Sequence, residues 1–268
     1  MDPHLVAVVV GLIQGVFEWL PISSEGNVAI ALTALGTAPG LAVSYALFVH
    51  LGTALSATAY YRDEVWHALA SWSSLRPSSA FDAETATLAF VGLATAASSV
   101  VGVVALLALE AVVTELTGGA FVALIGALLV ATGLLQRFAD ARSLATRETP
   151  DALDAVLVGG LQGLAILPGV SRSGTTTSAL LLRGHDGPAS FRLSFLLSIP
   201  AALIGGTVGV VRAGGVGVSP TAGLVALVVA AAVGYATIDL LMRVVRRVAV
   251  WLLCVGLGGL AVLGGLLI

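Results

Sequence analysis

Two apolar stretches, residues 4–36 and 152–184, are broken near their middles by proline and hydroxyl residues. The first carries Pro21-Ile22-Ser23-Ser24 and the second Pro168-Gly169-Val170-Ser171-Arg172-Ser173-Gly174. Each half of either stretch is too short to cross comfortably, since about 30 Å of hydrocarbon takes ~20 helical residues. Backbone polar groups cannot be left bare in lipid. A helix–loop–helix hairpin that dips in and returns on the same side is therefore expected for each. Around the hairpins lie unbroken apolar runs near 40–61, 86–112, 119–137, 189–211, 219–242 and 247–267. The fold class that follows is an all-α integral membrane protein, with about six transmembrane helices and two re-entrant hairpins.

Composition supports this and excludes other classes. Hydrophobic residues make up 58% of the chain and charged residues 10%, against about 45–50% and about 25% in soluble domains. A chain of this length needs a polar skin in water, which rules out a soluble enzyme and a disordered chain. The formal net charge of −3 offers no field for nucleic acid. All cations of the lysine–arginine class are arginines, and Cys254 has no partner for an internal disulfide. Met1, Asp2, Pro3 and His4 lack the basic start of a signal peptide, so the first apolar run is expected to be mature structure.

Arginine placement sets the expected orientation. With six spans and two hairpins, Arg62, Arg76, Arg137, Arg142, Arg147, Arg183, Arg243, Arg246 and Arg247 fall on one side and Arg212 on the other. The first side is cytoplasmic by the positive-inside rule. Both termini are then outside, the protein is multi-pass in the cell membrane, and the hairpins enter from opposite faces.

The broken stretches also resemble each other. Gly11-Leu12-Ile13-Gln14-Gly15 matches Gly159-Gly160-Leu161-Gln162-Gly163, Pro21 matches Pro168 after a one-residue slip, and Ser23-Ser24-Glu25-Gly26 matches Ser171-Arg172-Ser173-Gly174. Each copy holds a hairpin and three spans, an odd number, so the copies are inverted. An inverted-topology repeat is expected to hold its site at the repeat interface near mid-membrane. The halves are residues 1–138 and 151–268, joined by a cytoplasmic linker at 139–150, within one membrane domain.

The tips carry the chemistry. Serine and glycine at a helix start present unpaired N–H groups and the positive end of the dipole, which suits an anion. Ser171-Arg172-Ser173-Gly174-Thr175-Thr176 therefore reads as a phosphate cradle, with Arg172 as a rigid fork for phosphate oxygens. An arginine at membrane depth is costly and points to function. Glu18, in an apolar helix with Gln14 one turn earlier, requires a cation, a metal or a proton. Arg172 is the evident cation; beside Ser23, Ser24 and Asn27 the pair reads as a reaction centre. Glu25 sits in the tip, where it joins a metal site or points into a vestibule. His50 reads as a cavity or packing histidine, and His185-Asp186 as a loop.

At this point the motifs resemble a known family. Gln14-Gly15-Val16-Phe17-Glu18-Trp19-Leu20-Pro21-Ile22-Ser23-Ser24-Glu25-Gly26 is similar to the first signature of the undecaprenyl-pyrophosphate phosphatase, or bacitracin-resistance, family. Leu167 through Thr176 resembles its second, and Ser194-Phe195-Leu196-Leu197-Ser198-Ile199-Pro200 its following span. The likeness covers essentially the whole chain in order and spacing. It implies a membrane hydrolase that takes the terminal phosphate from a polyprenyl diphosphate and so recycles the lipid carrier for envelope glycan synthesis, an activity tied to antibiotic resistance. It implies catalytic roles for Glu18, Ser24 and Arg172. Substrate contacts then fall to Gln14, Ser23, Glu25, Gly26, Asn27, Ser171, Ser173, Gly174, Thr175 and Thr176. A divalent cation, Mg2+ or Ca2+, is implied, with Glu18 and Gln14 as its side chains. The partners are the lipid and the bilayer, and a homodimer is the one protein partner considered.

One position departs from the pattern. The family has Gly-His where this chain has Gly26-Asn27, and asparagine transfers no proton near neutral pH. Glu18 or Glu25 must then act as base, or a cation-held water attacks. The Ser-Ser-Glu-Gly form resembles archaeal members, whose carrier is dolichol-type. The competing reading is a polyprenyl-phosphate flippase, because inverted repeats with broken helices are a transporter plan.

Overall fold

The computed structural model of the chain describes residues 2–113, 116, 118–142, 147–212, 219–245 and 247–267. Arg246, the side chain of Arg212 and linker residues 143–146 lie outside the described residues. Among the described residues the regular structure is helical, apart from one β-bridge between Arg147 and His185. In chain order the helices are α1 (Pro3–Phe17), α2 (Ser24–Ala34), α3 (Pro39–Tyr60), α4 (Arg62–Ala70), α5 (Ala86–Val113) and α6 (Gly118–Asp140). Then come α7 (Ala152–Leu164), α8 (Arg172–Leu182), α9 (Gly187–Arg212), α10 (Pro220–Val245) and α11 (Val250–Leu267).

Six of these, α3, α5, α6, α9, α10 and α11, are long and apolar enough to cross a membrane, and their ends fall within three residues of the expected spans. The broken stretches become two pairs of short helices. At 1.5 Å per residue, α1 and α7, with 15 and 13 residues, reach only about 20 Å. Local sequence explains their ends. Asp2 caps α1 ahead of Pro3, and Asp151 and Asp154 form a reciprocal capping box on α7. Pro21 and Pro168 cannot continue the preceding helices, and Ser23 and Ser171 cap the helices that follow.

Each hairpin leans on the opposite half of the chain. Helix α1 packs on α10 and α7 on α5, while α3 packs on α9 and α6 on α11. Small residues make this possible, because helices in lipid gain from close backbone approach. Gly11 faces Ala226 and Gly15 faces Gly234; equivalently, Gly159 faces Ala94 and Gly163 faces Ser98. A methyl group on Gly159 would lie 2.3 Å from the Ala94 carbonyl oxygen.

The two tips touch. Ser23 Oγ accepts from its own cap at Gly26 N–H (3.2 Å) and from Gly169 N–H of the second tip (3.1 Å). Ser23 holds φ at 60°, a left-handed backbone that costs a non-glycine residue stability. Gly169, at φ +102°, lies so near α6 that an added Cβ would meet the Ile125 carbonyl oxygen at 2.3 Å. Strain and overlap each cost about 1–3 kcal/mol. Gly169→Ala is therefore expected to lower the thermal midpoint of the detergent-purified protein measurably, whereas Gly160→Ala, where a methyl meets open space, leaves it unchanged.

A charge cluster fixes the outer ends of α7 and α8. Asp154, with no exposed surface, accepts from Arg147 Nη1 (3.0 Å) and Arg183 Nε (2.5 Å) and faces His185 Nε2 (2.9 Å). Both arginines also reach Asp151, at 2.7 and 3.0 Å. Burial alone would raise the Asp151 carboxyl, but the Asp154 N–H and the Arg147 guanidinium hold it below its ordinary range. His185 and Asp186 lie in the loop between α8 and α9, as expected, but His185 is fully buried there. Helix α4 and the 3-10 turn Ser71–Ser74 were not anticipated, being short and weakly periodic. They expose Trp66 and Trp72, side chains suited to a membrane interface.

Candidate active site

Glu18 stands at the C-cap of α1, where the chain turns toward Pro21, and its carboxylate is the hub of the site. One oxygen, Oε2, accepts from Gln14 Nε2 (2.9 Å) and Ser24 Oγ (2.8 Å), and His50 Nε2 lies 3.4 Å away. The other, Oε1, accepts from Arg172 Nη2. Gln14 is held in turn by Thr53 on α3 (3.2 Å). The carboxylate thus joins a hydroxyl from the first tip to a guanidinium from the second. All these groups are mostly buried, the Glu18 and Arg172 side chains being 5% and 16% exposed.

Arg172 is the first residue of α8, and α9 sets its fork. Its Nη1 donates to the Ser194 carbonyl (3.2 Å), and the guanidinium lies 5.6 Å from the centre of the Phe195 ring. Phe195 packs edge-on against Trp19, whose indole N–H donates to Gly234 O (2.9 Å). The start of α8 is a working helix N-terminus. Gly174 N–H is taken by the Ser171 cap at 3.2 Å, while the N–H groups of Arg172 and Ser173 have no partner among the described residues.

A cavity of about 170 Å3 opens beside this cluster, lined by Glu18, Ser23, Ser24, Glu25, His50, Ser171, Arg172 and Ser173. Its walls continue as an apolar groove between Val103 and Leu106 on α5 and Ile204 and Val208 on α9. Val103 and Ile204 are exposed on the outside of the bundle, so the groove opens toward the lipid phase.

Not every expected contact residue faces this cavity. The Asn27 amide donates to Ile22 O (2.9 Å) and Ser23 O (2.8 Å), bracing the strained tip from behind. Thr175 and Thr176 spend their hydroxyls on carbonyls of residues 171–173, and Thr176 also meets Ser194 Oγ at 2.7 Å. Gly26 and Gly174 serve packing: a methyl on Gly26 would lie 2.8 Å from Gly169 N, and one on Gly174 2.5 Å from Gln136 Nε2. These five residues shape the tips rather than line the chamber.

The expected cation residues differ in what they have free. Both Glu18 oxygens already receive donors, one of them a guanidinium, and Gln14 offers Glu18 its N–H rather than its oxygen. Gln14 Oε1 itself is buried without a hydrogen-bond partner among the described residues, so of the expected pair Gln14 keeps a free acceptor while Glu18 does not. No cluster of three or more acidic, histidine or cysteine ligands occurs among the described residues. Glu25 also suits a cation: it lines the cavity, is 6% exposed, and its Oε1 has no hydrogen-bond partner among the described residues. Magnesium commonly sits on substrate phosphates with only one or two carboxylates, and one buried free carboxylate meets that requirement.

Three groups escaped the sequence reading. Thr53 lies one helical turn beyond His50 and holds Gln14. Ser194 and Phe195 orient Arg172, although their run had been noticed as a span. Thr132 and Gln136 on α6 brace both tips, the first through Ser171 N–H (3.3 Å) and the second through Pro21 O (2.7 Å).

Comparison with known proteins matches the chain almost end to end. The family Bacitracin resistance protein BacA matches residues 7–261. An undecaprenyl-diphosphatase of Haloarcula marismortui is 58% identical over 271 residues, covering 100% of this chain and 99% of that protein. Undecaprenyl-diphosphatases of Methanococcoides burtonii and Methanothrix thermoacetophila are 39% and 36% identical, over 96% and 95% of this chain and 96% and 94% of theirs. With both signatures meeting in one chamber and the match running almost end to end, the chain belongs to the bacitracin resistance protein family.

Proposed function

We propose that the protein is a membrane phosphatase that hydrolyses a polyprenyl diphosphate to the monophosphate and phosphate. One observation carries this: the Glu18 carboxylate holds the Ser24 hydroxyl and the Arg172 guanidinium together in a chamber that opens along an apolar groove. The relatives named undecaprenyl-diphosphatase support the same reading. The diphosphate rests on Arg172 and the free N–H groups at the start of α8. The tail leaves along the groove between α5 and α9. Ser24 attacks the terminal phosphorus in line as Glu18 takes its proton, and the lipid monophosphate departs. Water then releases the phosphate from Ser24. Spreading charge over equatorial oxygens is the main demand in phosphoryl transfer, which Arg172 and the α8 amides meet. A divalent cation, Mg2+ or Ca2+, would be held by Glu25 and would neutralise phosphate charge.

The arginine-rich end of the bundle is the cytoplasmic side in this reading, with both termini outside. The cavity walls on α5 and α9 lie in the middle and far portions of those helices, so the headgroup is met from the outer face of the cell membrane. The hairpins α1–α2 and α7–α8 dip in from opposite sides.

Purified protein in detergent, given undecaprenyl or dolichyl diphosphate and Mg2+, is expected to release one phosphate per lipid. Ser24→Ala is expected to lose at least about 100-fold in kcat with KM nearly unchanged, as removal of a nucleophile requires. A wild-type protein that binds the lipid without cleaving it, yet moves its monophosphate across liposomes, would establish the carrier reading instead.

A further inference from the structure

We propose that His50 is a catalytic residue of this site: its Nε2 gives a proton to the leaving lipid phosphate and is recharged through Glu18. The inference rests on the phosphatase reading above and adds a residue that the motifs leave out.

Geometry assigns each ring nitrogen a neighbour. His50 Nδ1 lies 2.7 Å from the Ala46 carbonyl oxygen, one turn back on α3. A carbonyl oxygen only accepts, so Nδ1 carries hydrogen. The other nitrogen, Nε2, faces Glu18 Oε2 at 3.4 Å. Nε2 is thus the ring nitrogen turned toward the Glu18 carboxylate, and in the proposed cycle this pair starts with one proton. His50 is also the only histidine lining the cavity among the described residues. Asn27 is occupied with the tip carbonyls and transfers no proton. The charged groups sharing the chamber are Glu18 and Glu25 from the first hairpin and Arg172 from α8. Asp239 of α10, which also packs on α3, is bound to Tyr60 about three turns further along.

The step balances. The Ser24 O–H proton passes to Glu18 as the serine oxygen bonds to the terminal phosphorus and the bridging P–O bond breaks. The bridging oxygen leaves with the lipid monophosphate and takes the proton from His50 Nε2. Protonated Glu18 then faces neutral His50, and the proton crosses to Nε2. The Glu18–His50 pair again holds one proton, and no other reactant is needed. The water that later frees phosphate from Ser24 uses the same pair in reverse.

The test uses the full-length protein and phosphate release from polyprenyl diphosphate. His50→Gln keeps a side chain of similar reach that bonds to Glu18 but cannot transfer a proton. Its kcat is expected to fall about 100-fold or more, the usual contribution of a positioned acid–base group, with KM changed less than threefold. His50→Ala is expected to regain turnover with added imidazole, but not with pyrazole, which has the same shape and is a far weaker base. Wild-type kcat in His50→Gln overturns the proposal, as does equal rescue by the two azoles or loss without imidazole rescue, both of which indicate packing. A wild-type protein that releases no phosphate overturns the phosphatase reading instead, so the two failures are distinguishable.

Discussion

Replacing Arg172 with alanine is expected to reduce turnover of the polyprenyl diphosphate about 1,000-fold or more, and Arg172→Lys is expected to recover little of it. The guanidinium already makes two fixed contacts, Nη2 to Glu18 and Nη1 to Ser194 O, with its face toward Phe195. Its plane is therefore set before substrate arrives, and the side chain lines the cavity beside Ser24. An arginine stabilising a transferring phosphoryl group is worth about 10³–10⁵ in rate. Lysine supplies charge but no planar fork and cannot hold Glu18 and phosphate in the same geometry. The measurement is kcat for wild type, Arg172→Ala and Arg172→Lys in the same detergent, with thermal midpoints recorded to show that each variant folds. Lysine restoring more than about a tenth of wild-type turnover would mean that the site needs a positive point charge rather than a fork.

Much of the architecture is legible in the sequence because the membrane imposes a harsh rule. Long apolar runs must be helices that cross, and a proline with serines in mid-run must be a break. For the same reason Glu18 and Arg172, the costly charges at depth, announce each other. What the sequence hides is lateral placement. The run around Gly11 and Gly15 shows that α1 packs closely on something, but not that its partner is α10, more than 200 residues away. The orientation of His50 follows from the face of α3 turned to α1, and neither periodicity nor composition carries that. Asn27 misleads in the opposite way: its place in a signature suggests a substrate contact, whereas its amide closes on Ile22 and Ser23. His185 reads correctly as part of a loop, but its burial beside Asp154, which Arg183 also holds, depends on contacts that a short polar run does not announce.

Glu18→Ala is expected to abolish turnover and to destabilise the fold, and the pairing with Arg172 separates these two effects. Without Glu18, Ser24 loses its proton acceptor, His50 its partner and Arg172 its counter-charge. Removing one partner of a buried ion pair costs about 3–5 kcal/mol, because the other charge is left unpaired. A lost acid–base group lowers rate by about 10²–10⁴. In the double variant Glu18→Ala/Arg172→Ala neither member of the pair is left without its counter-charge, so the loss of stability is expected to fall short of the sum of the single losses by about 0.5–3 kcal/mol of coupling. Turnover is not expected to recover, since the base and the phosphate fork are both gone. Stability that returns while activity stays absent assigns the pair to catalysis and to folding together. A double variant that regains turnover along with stability would show the pair to be structural glue and move the chemistry elsewhere in the chamber. Glu18→Gln sharpens the distinction: it keeps the size of the side chain but replaces one acceptor oxygen with an N–H2 group facing either Arg172 or the Gln14 and Ser24 donors. It is expected to lose turnover as fully as Glu18→Ala while keeping more of the packing.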